Sequence, residues 1–449
     1  MSRSQITKKL GIGFGVVILL FIAILTFASF ETFDEPLSTG VSQALQKSAM
    51  PTDQDNAFIA IWGLSTSSDK NMIESGRALI QRYRYNRDSQ GRDELTEEDY
   101  QEILTNKDMD KAWQSIIPKC HVRKKQDCTA KLASQIALQP ISDQRFDLMM
   151  ERYKAIRQLK DYQHMDDLTF ASPLPSFGPL LSLNKLNLAI ALNQNDASVF
   201  IQNLESELKF WRMLLNQGDS ILDKMIANVG YRNNLAATSN FLSTQPNLSE
   251  HDLAKLRQLL SPLSGQELDI SEAFLFEEKA FYNTLQNIDA EQLKEALGLS
   301  SSPSAWLIQP NATINDYHEL FVIKIQELGK MDTPQFAAAI KTKNGESCCF
   351  QEMESLSSLS FSSLYNLGGK SLLTATLFNG QDYLARIHDL NGLIGLVGVE
   401  LNLLTDRAST ERWLKENTVV LGHSIRFDPK IGTLEFDCLD SHSICKLKL

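Results

Sequence analysis

Two side chains with chemical reach sit where the spacing calls for apolar residues. Along 264–286, Ile270, Phe274, Phe281 and Leu285 recur at helical spacing, and Glu277 falls inside their stripe. Along 218–242, Arg232 shares a stripe with Ile221, Met225 and Ala236. A carboxylate in an apolar setting keeps its proton near neutral pH and can serve as a general acid, and a buried guanidinium can clamp an anionic substrate. The same two residues on neighbouring helices also satisfy each other as a structural ion pair, which is the reading adopted for Arg232 and Glu277.

The six cysteines fall in three local pairs: Cys120 with Cys128, Cys348 with Cys349, and Cys438 with Cys445. Short loops close at low entropic cost, so Cys120–Cys128 and Cys438–Cys445 are expected disulfides. Cys348 and Cys349 would form a strained vicinal bridge; free thiols or bonds to other cysteines stand as alternatives. Cys438-x3-His442-x2-Cys445 has ligand-like spacing but offers three ligands where structural zinc takes four, so no metal is expected. Gly369-Lys370-Ser371 resembles a phosphate loop, yet Leu364 occupies the position of its first glycine and no strand precedes it. The seven histidines are dispersed, and His318 and His388 read as surface or hydrogen-bonded core residues. Asn247 and Asn311 open glycosylation sequons, which matter only in a eukaryotic secretory pathway. No cofactor is expected, and no catalytic residue beyond the candidate Glu277.

The element that places all of this is Leu10 to Phe30, an uncharged run that as a helix rises about 30 Å, enough to cross a bilayer core. Arg3, Lys8 and Lys9 precede it and Glu31, Asp34 and Glu35 follow. The positive-inside bias therefore keeps 1–9 in the cytoplasm and puts the rest of the chain outside. A signal peptide cleaved after Ala28 is the competing reading, with the same destination for the body. No further window is expected to span a membrane. The net charge of −11 includes the cationic N-terminus, so the exported part is more acidic still; nucleic acid and anionic lipid are unfavourable partners. An oxidising compartment also suits the paired cysteines.

The body reads as mainly α. After the transmembrane helix come a polar stalk or the start of a helix at 31–50, an N-terminal helical region (31–175), a central helical hairpin region (176–298) and a C-terminal helical region (299–423). The central region is the clearest. A helix at 178–193 and a second that runs to Gln217 flank the turn Asn195-Asp196, and Phe200, Leu204, Leu208, Trp211 and Leu215 make one apolar face, like a single tetratricopeptide-type pair without a repeat. Helices are also expected at 70–87, 96–117, 129–138, 143–163, 250–262, 314–329, 333–341, 381–404 and 406–416. The tail, 424–449, alternates apolar and polar residues around Asp428-Pro429-Lys430-Ile431-Gly432 and reads as a small antiparallel β element closed by the last cysteine pair.

Several stretches together are similar to an uncharacterised proteobacterial family of N-terminally membrane-anchored, all-helical periplasmic proteins. They are DNAFIAIWGL at 55–64, SGRAL at 75–79, Arg152-Tyr153, LLNQGDSILDKMIA at 214–227 and QPNATIN at 309–315, with YLARIHDL at 383–390 and RFDPKIGTLEF at 426–436. The ending also resembles the tail of pseudopilin-like proteins. The resemblance implies an inner-membrane, single-pass protein with its bulk in the periplasm, and carries over no catalytic residue. The expected function is a protein-interaction or assembly module with an envelope protein partner and the lipid bilayer at 10–30. The alternatives are an envelope hydrolase with Glu277 as buried acid, and a pilus- or secretion-associated accessory protein.

Overall fold

The structure, a computed structural model, describes residues 34–46, 55–104, 128–164, 168–287, 308–341, 365–416 and 419–448, apart from 93, 139–140, 142, 171, 246, 377–379, 429 and 431. The predicted span at 10–30 and Cys120, Cys348 and Cys349 lie outside the described residues, as does the side chain of Cys128.

Of the stretch expected as a stalk or the start of a helix, residues 34–46 pack on the body and include a short helix. Asp34 accepts from Asn311 N at 2.8 Å and Ala312 N at 3.0 Å, and Asn315 donates to Glu35 Oε1 at 2.7 Å and accepts from Ser38 N at 2.8 Å. The short helix α1 (Thr39–Ala44) follows and buries Val41 completely. Beyond it, α2 (Ala57–Trp62) starts at the Asn56 cap and α3 (Met72–Gln90) at Asn71, whose side chain accepts from Ile73 N and Glu74 N. These two helices cross at a pair of glycines: a Cβ on Gly76 would lie 1.9 Å from the Ile59 carbonyl oxygen, and one on Gly63 1.8 Å from that of Met72. Helix α4 (Glu97–Leu104) opens on the expected reciprocal cap, Asp99 N donating to Thr96 Oγ1 and Thr96 N to Asp99 Oδ2.

Helices α5 (Cys128–Leu138) and α6 (Gln144–Ile156) come next. The helix expected over 143–163 stops at Ile156. Residues 161–164 instead run extended, with Asp161 bridged in parallel to Asn56, which delivers Tyr162 and His164 to the interior. The central hairpin forms as expected from α7 (Phe177–Asn193) and α8 (Ala197–Gln217). Asn195 takes positive φ at the turn and the Asp196 side chain caps α8. Phe200, Leu204, Leu208, Trp211 and Leu215 are all buried. Helix α9 (Ile221–Thr244) packs on this pair.

Helix α10 (Glu250–Leu259) is followed by a correction: the helix expected over 264–286 is two, α11 (Gly265–Leu268) and α12 (Ser271–Asn287). The Asp269 side chain accepts from Ser271 N at 2.8 Å and caps the second, breaking the run. Then come α13 (Pro310–Tyr317), a π turn (His318–Val322), α14 (Ile323–Gly329), α15 (Thr333–Lys341) and α16 (Leu367–Thr376). Gly369-Lys370-Ser371 lies inside α16, where Gly369 packs on Thr313 and Asn366 rather than forming a loop.

Helix α17 (Gly380–Thr405) corrects a second expectation, since by length and composition it is apolar enough to cross a membrane. Most of its residues are buried in the protein, against α9, α14 and the sheet, so it is built as the axis of the core. After α18 (Arg407–Glu416), strands β1 (Val419–Val420), β2 (His423–Asp428), β3 (Thr433–Phe436) and β4 (Lys446–Lys448) form an antiparallel meander in chain order. The register pairs Phe427 with Leu434 and Leu434 with Leu447.

Candidate functional site

The N-terminus of α9 gathers the residues nearest to a reactive constellation. Ser220 caps the helix: its hydroxyl accepts from Asp223 N at 3.1 Å, and its own N donates to Asp223 Oδ2 at 3.0 Å. Asp223 is buried and accepts at its other oxygen from Tyr162 Oη at 2.5 Å, while His164 Nε2 lies 2.7 Å from Oδ2. Asp219 accepts from His164 N at 2.8 Å. Lys224 points its ammonium at the carbonyls of Leu215 and Asn216, at the C-terminal end of α8. Glu277, on α12, accepts from Ile221 N at 3.1 Å, so it is one more acid at the positive end of α9.

Each charge state here has a physical cause. Burial works against a charge on His164, but the Asp223 carboxylate beside it more than offsets this and raises its pKa. Burial would raise Asp223, which His164 and Tyr162 instead hold below the usual carboxylate range. Burial pushes Glu277 up to about 7 against the pull of the Ile221 N–H, and brings Lys224 down to about 8. His164 is sandwiched rather than presented: Phe58 stacks on it at 4.3 Å and Phe276 meets it edge-on at 4.9 Å. The His164–Asp223 pair therefore ties the extended 161–164 segment to α9.

Arg232 and Glu277 do not meet, which corrects the expected ion pair. Ile221, where Glu277 binds, and Arg232 are separated by about 16 Å along α9 at the standard rise, a height that stripe position alone does not encode. Arg232 instead faces the C-terminal sheet, donating to Ser443 Oγ at 3.2 Å, with Asp389 and Asp440 as its favourable charges. Of the stripe it shares with Ile221, Met225 and Ala236, Ile221 is buried, but Met225 is half-buried and Ala236 exposed, and Leu222 and Val229 beside them are 40% and 42% exposed.

Cys438 and Cys445 are joined, with Cα atoms 5.6 Å apart, which commits both sulfurs of the zinc-like spacing to each other. Cys128 heads α5. Glu207 on α8 is a fully buried carboxyl that spacing does not single out. It accepts from Tyr153 Oη at 2.6 Å, Asn184 Nδ2 and Asn187 Nδ2 at 2.8 Å each, and Trp211 Nε1 at 3.2 Å, with Arg157 Nη1 3.1 Å away. Glu278, next to the predicted Glu277, is buried against His318 Nδ1 at 2.9 Å, and burial pushes it up to about 8. Of the residues missed, Ser220 and Asp223 had a readable signal, the Ser-x-x-Asp spacing of a reciprocal cap. Tyr162, His164 and Glu207 had none.

No family model, curated protein or solved structure matches the chain. The stretches that carry the sequence resemblance have physical roles of their own. IWGL and SGRAL supply the crossing glycines Gly63 and Gly76. Arg152 clamps carbonyls of the 64–70 loop, donating to Leu64 O at 3.1 Å and Ser67 O at 2.7 Å, while LLNQGDSILDKMIA holds Asp219, Ser220, Asp223 and Lys224. These are fold-defining contacts.

Proposed function

We propose that this chain is a membrane-anchored, extracytoplasmic helical module that binds an envelope protein. The observation that carries the reading is the outer face of α9. Leu222, Met225, Ile226 and Val229 form an apolar ridge that keeps solvent exposure on the longest helix of the central region. Around it, the strongly perturbed charges serve as caps and internal pairs, so the hydrolase reading with Glu277 as acid has less to stand on. The disulfide suits an oxidising compartment. The docked residues 34–46 add a geometric constraint. Asp34 follows the end of the predicted span by four residues, a covalent reach of at most about 14 Å, so the α13 end of the body would stand close to the membrane surface.

The test is a photoreactive amino acid placed at Leu222, Val229 or, as a polar control, the exposed Lys209 of the full-length protein in intact cells. A discrete adduct from Leu222 and Val229 but not from Lys209 is the expected result. Absence of any adduct from the ridge, or the same adducts from all three positions, would remove the interaction reading.

A further inference from the structure

The segment between β3 and β4 places a carboxyl group beside a bond that can react. Cys438 and Cys445 are joined, and one carboxylate oxygen of Asp389, on the core helix α17, lies with both sulfurs inside a 4.8 Å cluster. The two cysteines are unequally exposed: Cys445 is 4% exposed as a residue, whereas Cys438 is half-buried. Leu439 N and Asp440 N donate to the two oxygens of Asp389 at 2.8 and 3.0 Å, which fixes the carboxyl against this loop. Burial pushes Asp389 up to about 6, against the pull of those N–H groups and of Arg232. The other charges near this group are Asp440, itself paired with Arg386 at 3.1 Å, and Arg232. A loop staple alone requires neither a reachable sulfur nor an acid at the buried one.

We propose that Cys438–Cys445 is an exchange-active disulfide that accepts electrons from a cysteine pair of a partner protein, with Asp389 moving the proton at the buried sulfur. A partner thiolate attacks the reachable Cys438 Sγ, forming a mixed disulfide as the Cys438–Cys445 bond breaks. The electron pair leaves on Cys445 Sγ, which takes the proton of the Asp389 carboxylic acid and becomes a thiol. The partner's second thiolate then attacks its own sulfur in the mixed disulfide and releases Cys438, which is protonated from solvent. The partner ends oxidised by two electrons, and Cys438 and Cys445 end as two thiols; the reverse sequence oxidises them again. This proposal stands on the geometry of the loop and is independent of the ridge on α9.

The experiment is reduction of the purified full-length protein by glutathione between pH 4 and 8, quenched by acid and read by alkylation and peptide mass spectrometry at Cys438 and Cys445. Rates are referred to the thiolate form of glutathione. In the wild type the rate per thiolate is expected to fall about tenfold as pH rises through about 6, and in Asp389→Asn to stay flat at the lower level. A flat wild-type profile overturns the proposal without any variant. The attacked sulfur is read, in the same reaction, from the glutathione adducts that the acid quench traps at early times. The adduct is expected on Cys438 many times faster than on Cys445, and equal rates overturn the assignment.

Discussion

Glu400 lies buried on α17, its Oε2 without a hydrogen-bond partner among the described residues, and burial raises it to about 7 against a hydrogen bond from Ser239. A carboxyl raised in the folded state binds more protons folded than unfolded between about 4.5 and 7. Its contribution to stability is therefore complete below about 4.5 and is lost as pH rises through about 7. Glu400→Gln keeps the shape and removes the titration. Denaturant unfolding across that range should show the wild type losing about 1.4 kcal/mol per pH unit that the variant does not lose. Parallel pH profiles for the two proteins would show that Glu400 is already solvated as a carboxylate. The same residue-level logic governs Glu277: burial raises its pKa although the Ile221 N–H it accepts from pulls the other way, and a perturbed acid is a reason to look for a cleft rather than proof of one.

At the scale of elements, the crossing of α2 and α3 is a close one, and it rests on two glycines. Gly76→Ala drives a methyl group into the Ile59 carbonyl, and thermal or denaturant unfolding should show a loss of about 3 kcal/mol. Gly398→Ala, in the middle of α17 where an added Cβ meets nothing within 4 Å, should gain up to about 1 kcal/mol. Comparable changes at the two sites would contradict the close crossing. Elements whose signal is local were legible in the sequence. The hairpin of α7 and α8 follows from Asn195-Asp196 and one apolar face, and β2–β3 follows from alternation around Asp428 and Gly432. Elements decided by competition between local bonds were not. Asp269 broke a run that reads as one helix, and residues 161–164 left the helix for a bridge to Asn56. The candidate site inherits that limit, because it joins this extended segment to α9 across 59 residues of sequence, from His164 to Asp223. Glu277 was visible as an acid on an apolar stripe, but its partner was not, since periodicity gives the face of a helix and not the height along a neighbour.

For the whole molecule, the internal charge and the outer surface have separate duties. Glu207, Asp223 and Glu278 are buried and held by their own chain, while the apolar ridge of α9 keeps solvent exposure. Helix α17 shows why composition alone does not settle topology, since it is long and apolar enough for a membrane yet lies inside the body. The proposal therefore depends on the N-terminal span and on the side of the membrane where the body stands. The most direct measurement is protease treatment of osmotically opened cells with an intact inner membrane, using a cytoplasmic tag ahead of Met1. The account predicts that everything beyond Phe30 is digested and that a short tagged fragment, about the size of the predicted span, survives in the membrane. Full-length protein protected from the protease, and digested only after the membrane is dissolved, would contradict it.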